Sequence, residues 1–263
     1  MPHTPQHVLV QLQLQQYAPV YWLQGDEPYY IDRITTYIED HVLSAAEKSF
    51  NLTITYGKDT AVGQLLNQAR RFPMGSTYQV VIVKEAQELS DLQREAGRQL
   101  LSNYLQSPQP ATLLVFAHKH KVLDARTALS KLLAQKAIVV NTKKLQQYQV
   151  PTWIKEYVQA QHLDITEKAA WMLQEFIGND LGRLAKELGK LQLNLGQGKC
   201  IDDSLVQAYV VGEYLKAARH YTLSQVIANI HHLHQADLQL KGINYPTTPE
   251  GQILKELIYK LLH

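Results

Sequence analysis

Two hydrophobic rhythms divide the chain. Between residues 18 and 141 short apolar runs alternate with segments whose apolar residues recur every three or four positions, and from Lys143 onward the helical spacing takes over. The runs at residues 20–23, 50–55, 80–83, 112–116 and 137–140 predict five strands. Between them, helical faces are formed by Ile31, Ile34, Tyr37, Ile38, His41 and Val42, then by Val62, Leu65, Leu66 and Ala69. Residues 92–105, stopped by Pro108 and Pro110, and residues 125–133 predict two more helices, and residues 4–16, with Val8, Leu9 and Leu12 on one face, a lead-in helix. Strands alternating with helices imply an α/β layer built on a parallel sheet. Beyond it, helices are expected at 150–158, 169–177, along Leu181, Leu184, Leu188, Leu191 and Leu195, and at 223–240 and 253–262. The fold class is therefore α/β plus all-α, with an α/β domain at 1–142, a small helical domain at 143–211 and a C-terminal helical segment at 212–263.

The first predicted strand leads into Gln24-Gly-Asp-Glu-Pro28, a glycine turn followed by first-turn residues of a helix. Strand, glycine turn and helix form the skeleton of a phosphate loop. The chemistry of one is missing, because a GxxxxGK[ST] loop needs several glycines, a lysine for the terminal phosphates and a hydroxyl for magnesium. Only Gly25 is present, and Asp26 and Glu27 set carboxylates where a phosphate would sit. After the third strand a nucleotide hydrolase of this type carries Asp-Glu for metal and water; here Lys84 and Glu85 follow, and an ammonium repels a divalent cation. These residues predict a nucleotide-binding scaffold that has lost its nucleotide, with no cofactor, no metal and no catalytic residues.

Composition narrows the class only modestly. With 45% hydrophobic and 19% charged residues among 263, the chain reads as globular. A net charge of +2, from 26 basic and 24 acidic side chains, does not announce a nucleic-acid binder, so any DNA contact must come from local patches. Lys119, Lys121 and Arg126 after the fourth strand, and Lys143 and Lys144 at the domain junction, are the candidates, with a solvated charged loop as the plainer reading. His231, His232 and His234 include one i, i+3 pair but no completing thiol or carboxylate pattern, so they read as surface histidines. The single cysteine, Cys200, favours a reducing compartment, and no apolar run reaches the roughly 18 residues of a membrane span. With no secretory signature at the start, a cytoplasmic location and no membrane partner are expected.

Between the second helix and the third strand lies Arg70-Arg-Phe-Pro-Met-Gly75. Phe72 and Met74 either tuck into their own domain or stand out as an apolar wedge on a proline-stiffened loop, with Arg70 and Arg71 as its polar rim.

Five segments in order carry a specific resemblance. They are Tyr21-Trp-Leu-Gln-Gly-Asp-Glu-Pro-Tyr-Tyr30, Phe50-Asn51 with Tyr56-Gly57, Phe72-Pro-Met74, Gln79-Val-Val-Ile-Val-Lys-Glu-Ala86, and Gly178-Asn-Asp-Leu181 with Glu187-Leu-Gly-Lys-Leu191. Together they resemble the delta-subunit family of the bacterial DNA polymerase III clamp loader. The tail from Tyr214, with Leu240-Lys-Gly242 and Leu254-Lys-Glu-Leu-Ile258, resembles that family's C-terminal end as found in Bacteroidetes-like sequences. The resemblance implies a degenerate AAA+ domain, P-loop NTPase-like but without a working nucleotide site, then a helical lid and a helical collar that joins a five-subunit ring. It implies a wedge loop at Phe72, Pro73 and Met74 that holds the beta sliding clamp and opens one of its interfaces. The gamma/tau and delta prime subunits are the implied neighbours, and primed DNA is met through the assembled complex. No catalysis is expected of this chain, although it belongs with a DNA polymerase holoenzyme. Relatives carry several tens of further helical residues ahead of the segment matching Tyr214, so either the collar is shortened or residues between Val210 and Tyr214 are absent from this sequence. Two other function classes stay open: a noncatalytic adaptor that binds DNA directly, and an active AAA+ ATPase.

Overall fold

The structure, a computed structural model, describes residues 3–196, 198–212, 222–241 and 249–262. The chain divides into two compact units, Met1–Val150 with Asn179–Ala185 and Pro151–Gly178 with Lys186–His263. Both parts of the expected fold class are present: a parallel α/β sheet, then helices.

The first unit is built on β1 (Val20–Gly25), β2 (Leu52–Tyr56), β3 (Gln79–Lys84), β4 (Thr112–Lys119) and β5 (Ile138–Thr142). They form one parallel sheet in the order β2-β3-β4-β1-β5. Parallel neighbours cannot be joined by a tight hairpin, so helices make the returns. These are α2 (Pro28–His41), α3 (Ala45–Asn51), α4 (Val62–Ala69), α5 (Glu95–Gln106) and α6 (Ala128–Lys136), with α1 (Pro5–Gln13) leading in. Successive strand residues point to opposite faces. Val20, Trp22, Val81, Val83, Leu114 and Phe116 pack on one side with residues of α4, α5 and α6, while Tyr21, Leu23, Val80, Ile82, Leu113 and Val115 pack on the other with those of α1 and α2. Burial on both faces is why these strands read as continuous apolar runs rather than alternating ones.

Several details of the first unit differ from the sequence expectation. Phe50 and Asn51 close helix α3 and do not open β2, because Ser44 and Glu47 form a reciprocal capping box that starts a helix at Ala45. Strand β4 continues three residues past Phe116, so Lys119 ends the strand and does not lie in the loop expected after it, and His118 is buried at 2% exposure. Its ring packs 5.5 Å from that of Trp22, and Nδ1 lies 2.9 Å from the Lys121 carbonyl. Helix α1 ends at Gln13.

The second unit holds most of α7 (Val150–Gln159), α8 (Glu167–Ile177), most of α9 (Leu181–Asn194) and α10 (Asp203–Val206), which runs into a π-helical turn at Gln207–Val211. Strand structure does not stop at Lys143: β6 (Asp164–Ile165) and β7 (Cys200–Ile201) pair in parallel, each too short to leave a periodic signal. The Gly212 N–H reaches the Gln207 carbonyl, so the backbone continues helically across Val211 and Gly212. The match at Tyr214, and that at Gly242, lie outside the described residues. Helices α11 (Leu223–Leu240) and α12 (Glu250–Leu262) bury Ala236 and Ile253, while Leu223, Ile227 and Ile230 remain exposed.

Gly25 ends β1 at φ +131°, and a Cβ there would lie 1.9 Å from the Thr142 carbonyl oxygen. Gly25→Ala therefore forces β1 and β5 apart besides straining its own backbone. It is expected to cost about 2–4 kcal/mol, read as a lower urea midpoint for the first unit.

Candidate functional site

Helix α2 begins where a phosphate-binding helix would offer free N–H groups, but the chain uses them itself. The Asp26 N–H donates to the Thr142 carbonyl at 3.1 Å, Pro28 has none, and the Tyr29 N–H donates to Glu27 Oε1 at 3.0 Å. Glu27 is only 3% exposed. Burial pushes its carboxyl above the usual range; the Tyr29 N–H opposes this, Asp180 adds to it, and Lys144 opposes it more weakly. At the end of β3, Lys84 Nζ lies 3.1 Å from Glu39 Oε2 on α2, and Glu85 is an exposed residue in the left-handed conformation at φ +56°. Gly25, Asp26, Glu27, Lys84 and Glu85 thus lie at the C-terminal ends of β1 and β3, and their chemistry does not suit magnesium triphosphate. A phosphate would meet the Glu27 carboxyl on amides already engaged, and a divalent ion would meet an ammonium.

The loop between α4 and β3 presents the opposite chemistry. Phe72 is 78% exposed and Met74 67%, with Pro73 half-buried between them. Neither large side chain tucks into the unit. The loop's stem is nevertheless held firmly. Gln79, the buried first residue of β3, places its amide nitrogen against the carbonyls of Gln68, Ala69 and Arg71 and against Thr112 Oγ1. On the far side of the apolar pair, the Asn51 carboxamide donates to the Met74 carbonyl at 3.0 Å and accepts from the Met74 N–H at 2.7 Å. Glu47 has its carboxyl held below the usual range by the hydroxyls of Ser44 and Ser76, a further tie between α3 and this loop. Arg70 lies 5.8 Å over the Tyr104 ring, which keeps its guanidinium beside the loop base. The preceding helical residue, Phe50, is also exposed. Sequence reasoning assigned no role to Asn51 or Gln79. A polar residue opening an otherwise apolar strand was the one available signal for Gln79; Asn51 offered none beyond its place in the family-like segment.

The basic candidates do not form a single patch of free cations. Lys119 Nζ pairs with Asp32 at 2.6 Å and Arg126 with Asp124 at 2.9 Å, whereas Lys121, Lys143 and Lys144 are exposed. His231 and His234 are exposed on α11 with His232 half-buried, and no cluster of three metal-ligating side chains occurs among the described residues. Cys200 is exposed on β7. A cleft of about 250 Å³ beside β1, β5 and α6 is lined by Trp22, Gln24, Leu123, Lys131 and Asn141. Gln24 there is engaged by the Trp22 indole, the Asn141 side chain and the Leu123 N–H.

The raised Glu27 pKa has a defined sign in stability. Between the ordinary carboxylate pKa and the higher folded value, the folded chain binds the extra proton, so stability falls as pH rises through that window. Glu27→Gln keeps an oxygen for the Tyr29 N–H and removes that loss. The stability of the variant relative to wild type, from urea unfolding at a series of pH values, is expected to increase from acid to neutral pH and then level off.

Residues 21–143 match the family model described as DNA polymerase III, delta subunit. DNA polymerase III subunit delta of Bacillus subtilis (strain 168) is 27% identical over 182 residues, covering 68% of this chain and 52% of that protein. The chain thus spans about half the length of the curated relative it matches. The solved structure of the Bacillus subtilis DNA clamp loader delta protein superimposes at a TM-score of 0.67 with 22% identity, over 98% of this chain and 72% of that one, a likeness of fold. Through its α/β region the chain is thus similar to the DNA polymerase III delta-subunit family.

Proposed function

We propose that this chain acts as the delta subunit of a bacterial clamp loader, binding the beta sliding clamp and opening it for loading onto primed DNA. The observation that carries the reading is the exposure of Phe72 and Met74 on a loop whose backbone is pinned on both sides. Two apolar side chains held out in water, close together in the chain, suit insertion into a pocket of a partner, where burying such anchors supplies most of an interface's affinity. Pro73 stiffens the span between them.

The chain is proposed to hydrolyse no ATP itself. Support comes from the internal pairing of Lys84 with Glu39 and from the buried carboxyl of Glu27 at the head of α2. In this reading residues 1–142 are the clamp-binding AAA+-like domain, 143–211 a lid and 212–263 a shortened collar. Gamma/tau and delta prime are the partners in a cytoplasmic loader. The exposed apolar residues Leu223, Ile227 and Ile230 of α11 favour a collar that meets other chains. DNA is met through the assembled complex, with Lys121, Lys143 and Lys144 as the contacts, since Lys119 and Arg126 are already paired with carboxylates. That pairing also weakens the reading of a stand-alone DNA-binding adaptor.

The test is binding of the purified chain to an immobilised beta clamp. The double variant Phe72→Ala/Met74→Ala is expected to weaken binding by about 30-fold or more, the scale of losing interface anchors. Its thermal unfolding should stay close to wild type, since both side chains are solvent-exposed. Equal clamp binding by the two proteins would refute the assignment.

A further inference from the structure

Met74 has an unusual means of support. Its N–H and C=O both find their partners in one side chain, the carboxamide of Asn51, which lies 23 residues away in sequence and is itself 4% exposed. An amide side chain is well suited to this task, because only a carboxamide offers a donor and an acceptor side by side to match a peptide's own pair. Asn51 Nδ2 also lies 3.2 Å from the Glu47 carbonyl one helical turn back, which fixes the rotamer before the loop arrives. The helix carrying it is short but starts with a complete capping box, so its last residue is well placed.

We infer that Asn51 is the positioning residue of the apolar loop: it holds the Met74 backbone so that the Phe72 and Met74 side chains are presented to the partner in advance of binding. The inference rests on the clamp-binding reading given above and deepens it. A loop that samples many conformations binds with an affinity reduced by the fraction of time it spends in the competent one. Hydrogen bonds from a buried residue raise that fraction without covering either apolar side chain. The backbone beyond Met74 supplies no comparable restraint by itself, since Gly75 sits at φ +62° with nothing within 4 Å of the position a Cβ would take. Gln79 anchors the other side at Arg71. On the side that carries Met74, Asn51 is therefore the hold that meets the Met74 backbone directly, with the Glu47–Ser76 tie following it.

Asn51→Ala and Asn51→Asp, made in the full chain, test this with two readouts. The first is hydrogen exchange at the Met74 amide, whose acceptor is Asn51 Oδ1. The Ala variant is expected to lose protection there while the amides of Val80, Val81, Ile82 and Val83 in β3 keep theirs. The second is affinity for the beta clamp, expected to fall about tenfold, in line with a competent fraction reduced by that factor. The same substitution in the Phe72→Ala/Met74→Ala background is expected to change the residual binding little, because there is no longer an apolar pair to present. Should Asn51→Ala also lose protection in β3, Asn51→Asp decides: it keeps the volume and an acceptor but sets a carboxylate oxygen against the Met74 carbonyl, and it too should weaken clamp binding. Clamp affinity unchanged by either folded variant, or Met74 protection unchanged by Asn51→Ala, overturns the inference alone. Wild-type affinity in the Phe72→Ala/Met74→Ala chain overturns the clamp reading itself, so the two failures are told apart.

Discussion

Strand β1 is hydrogen-bonded on both edges, to β4 and to β5, and packed on both faces, so its register fixes the positions of everything at the sheet's C-terminal end. A slip by one residue would turn Trp22 toward the α1 and α2 side and Tyr21 toward α4, α5 and α6, exchanging side chains of different size in two filled cores. Because that register is fixed, Gly25 meets Thr142, β5 closes over the start of α2, and the Asp26 N–H finds its acceptor there. The engagement of the Asp26 amide is thus set by how the central strands meet, whatever side chains surround it.

Polar groups around that end answer one another in a consistent way. Lys84 turns to Glu39, Lys119 to Asp32, and Glu27 back to its own helix. Neither of the two lysine pairs, both partly exposed, adds much to stability, since ion pairs near the surface are worth roughly 0–1 kcal/mol. Each lysine there has a carboxylate partner on α2. The contrast lies at the other end of the sheet, before β3, where apolar rather than polar groups are left without protein around them.

Much of this was legible in the sequence, for physical reasons that also explain the gaps. Strands buried on both faces leave uninterrupted apolar runs, and helices packed on one face leave a three-to-four-residue spacing, so β1, β3, β4, α2 and α4 stood out. Helix α3 did not, because Phe50 and Leu52 extend an apolar pattern into it while its real start signal, Ser44 with Glu47, is polar. The burial of His118 depended on how far β4 continues, and two-residue strands such as β6 and β7 carry no period at all. For the loop, residue types alone favoured a core for Phe72 and Met74 and left a surface open. Their exposure goes with a backbone tether at Asn51, a contact across 23 residues that no local pattern encodes.

Holding an apolar pair in water raises a conflict that this loop resolves in its backbone. Packing Phe72 or Met74 against the domain would order the loop but consume the surface that the proposed reading offers to a partner, and leaving the loop free would spread the pair over many conformations that any binding would have to remove. Hydrogen bonds to the main chain restrain position without occupying side-chain area, and they are strongest as restraints when the groups supplying them are buried and fixed by the core. Asn51 and Gln79 meet that condition, one at the end of a capped helix and the other at the head of a strand packed between two neighbours. The same sheet that closes the phosphate end therefore supplies, through its polar first residue, the rigid base from which the apolar loop projects.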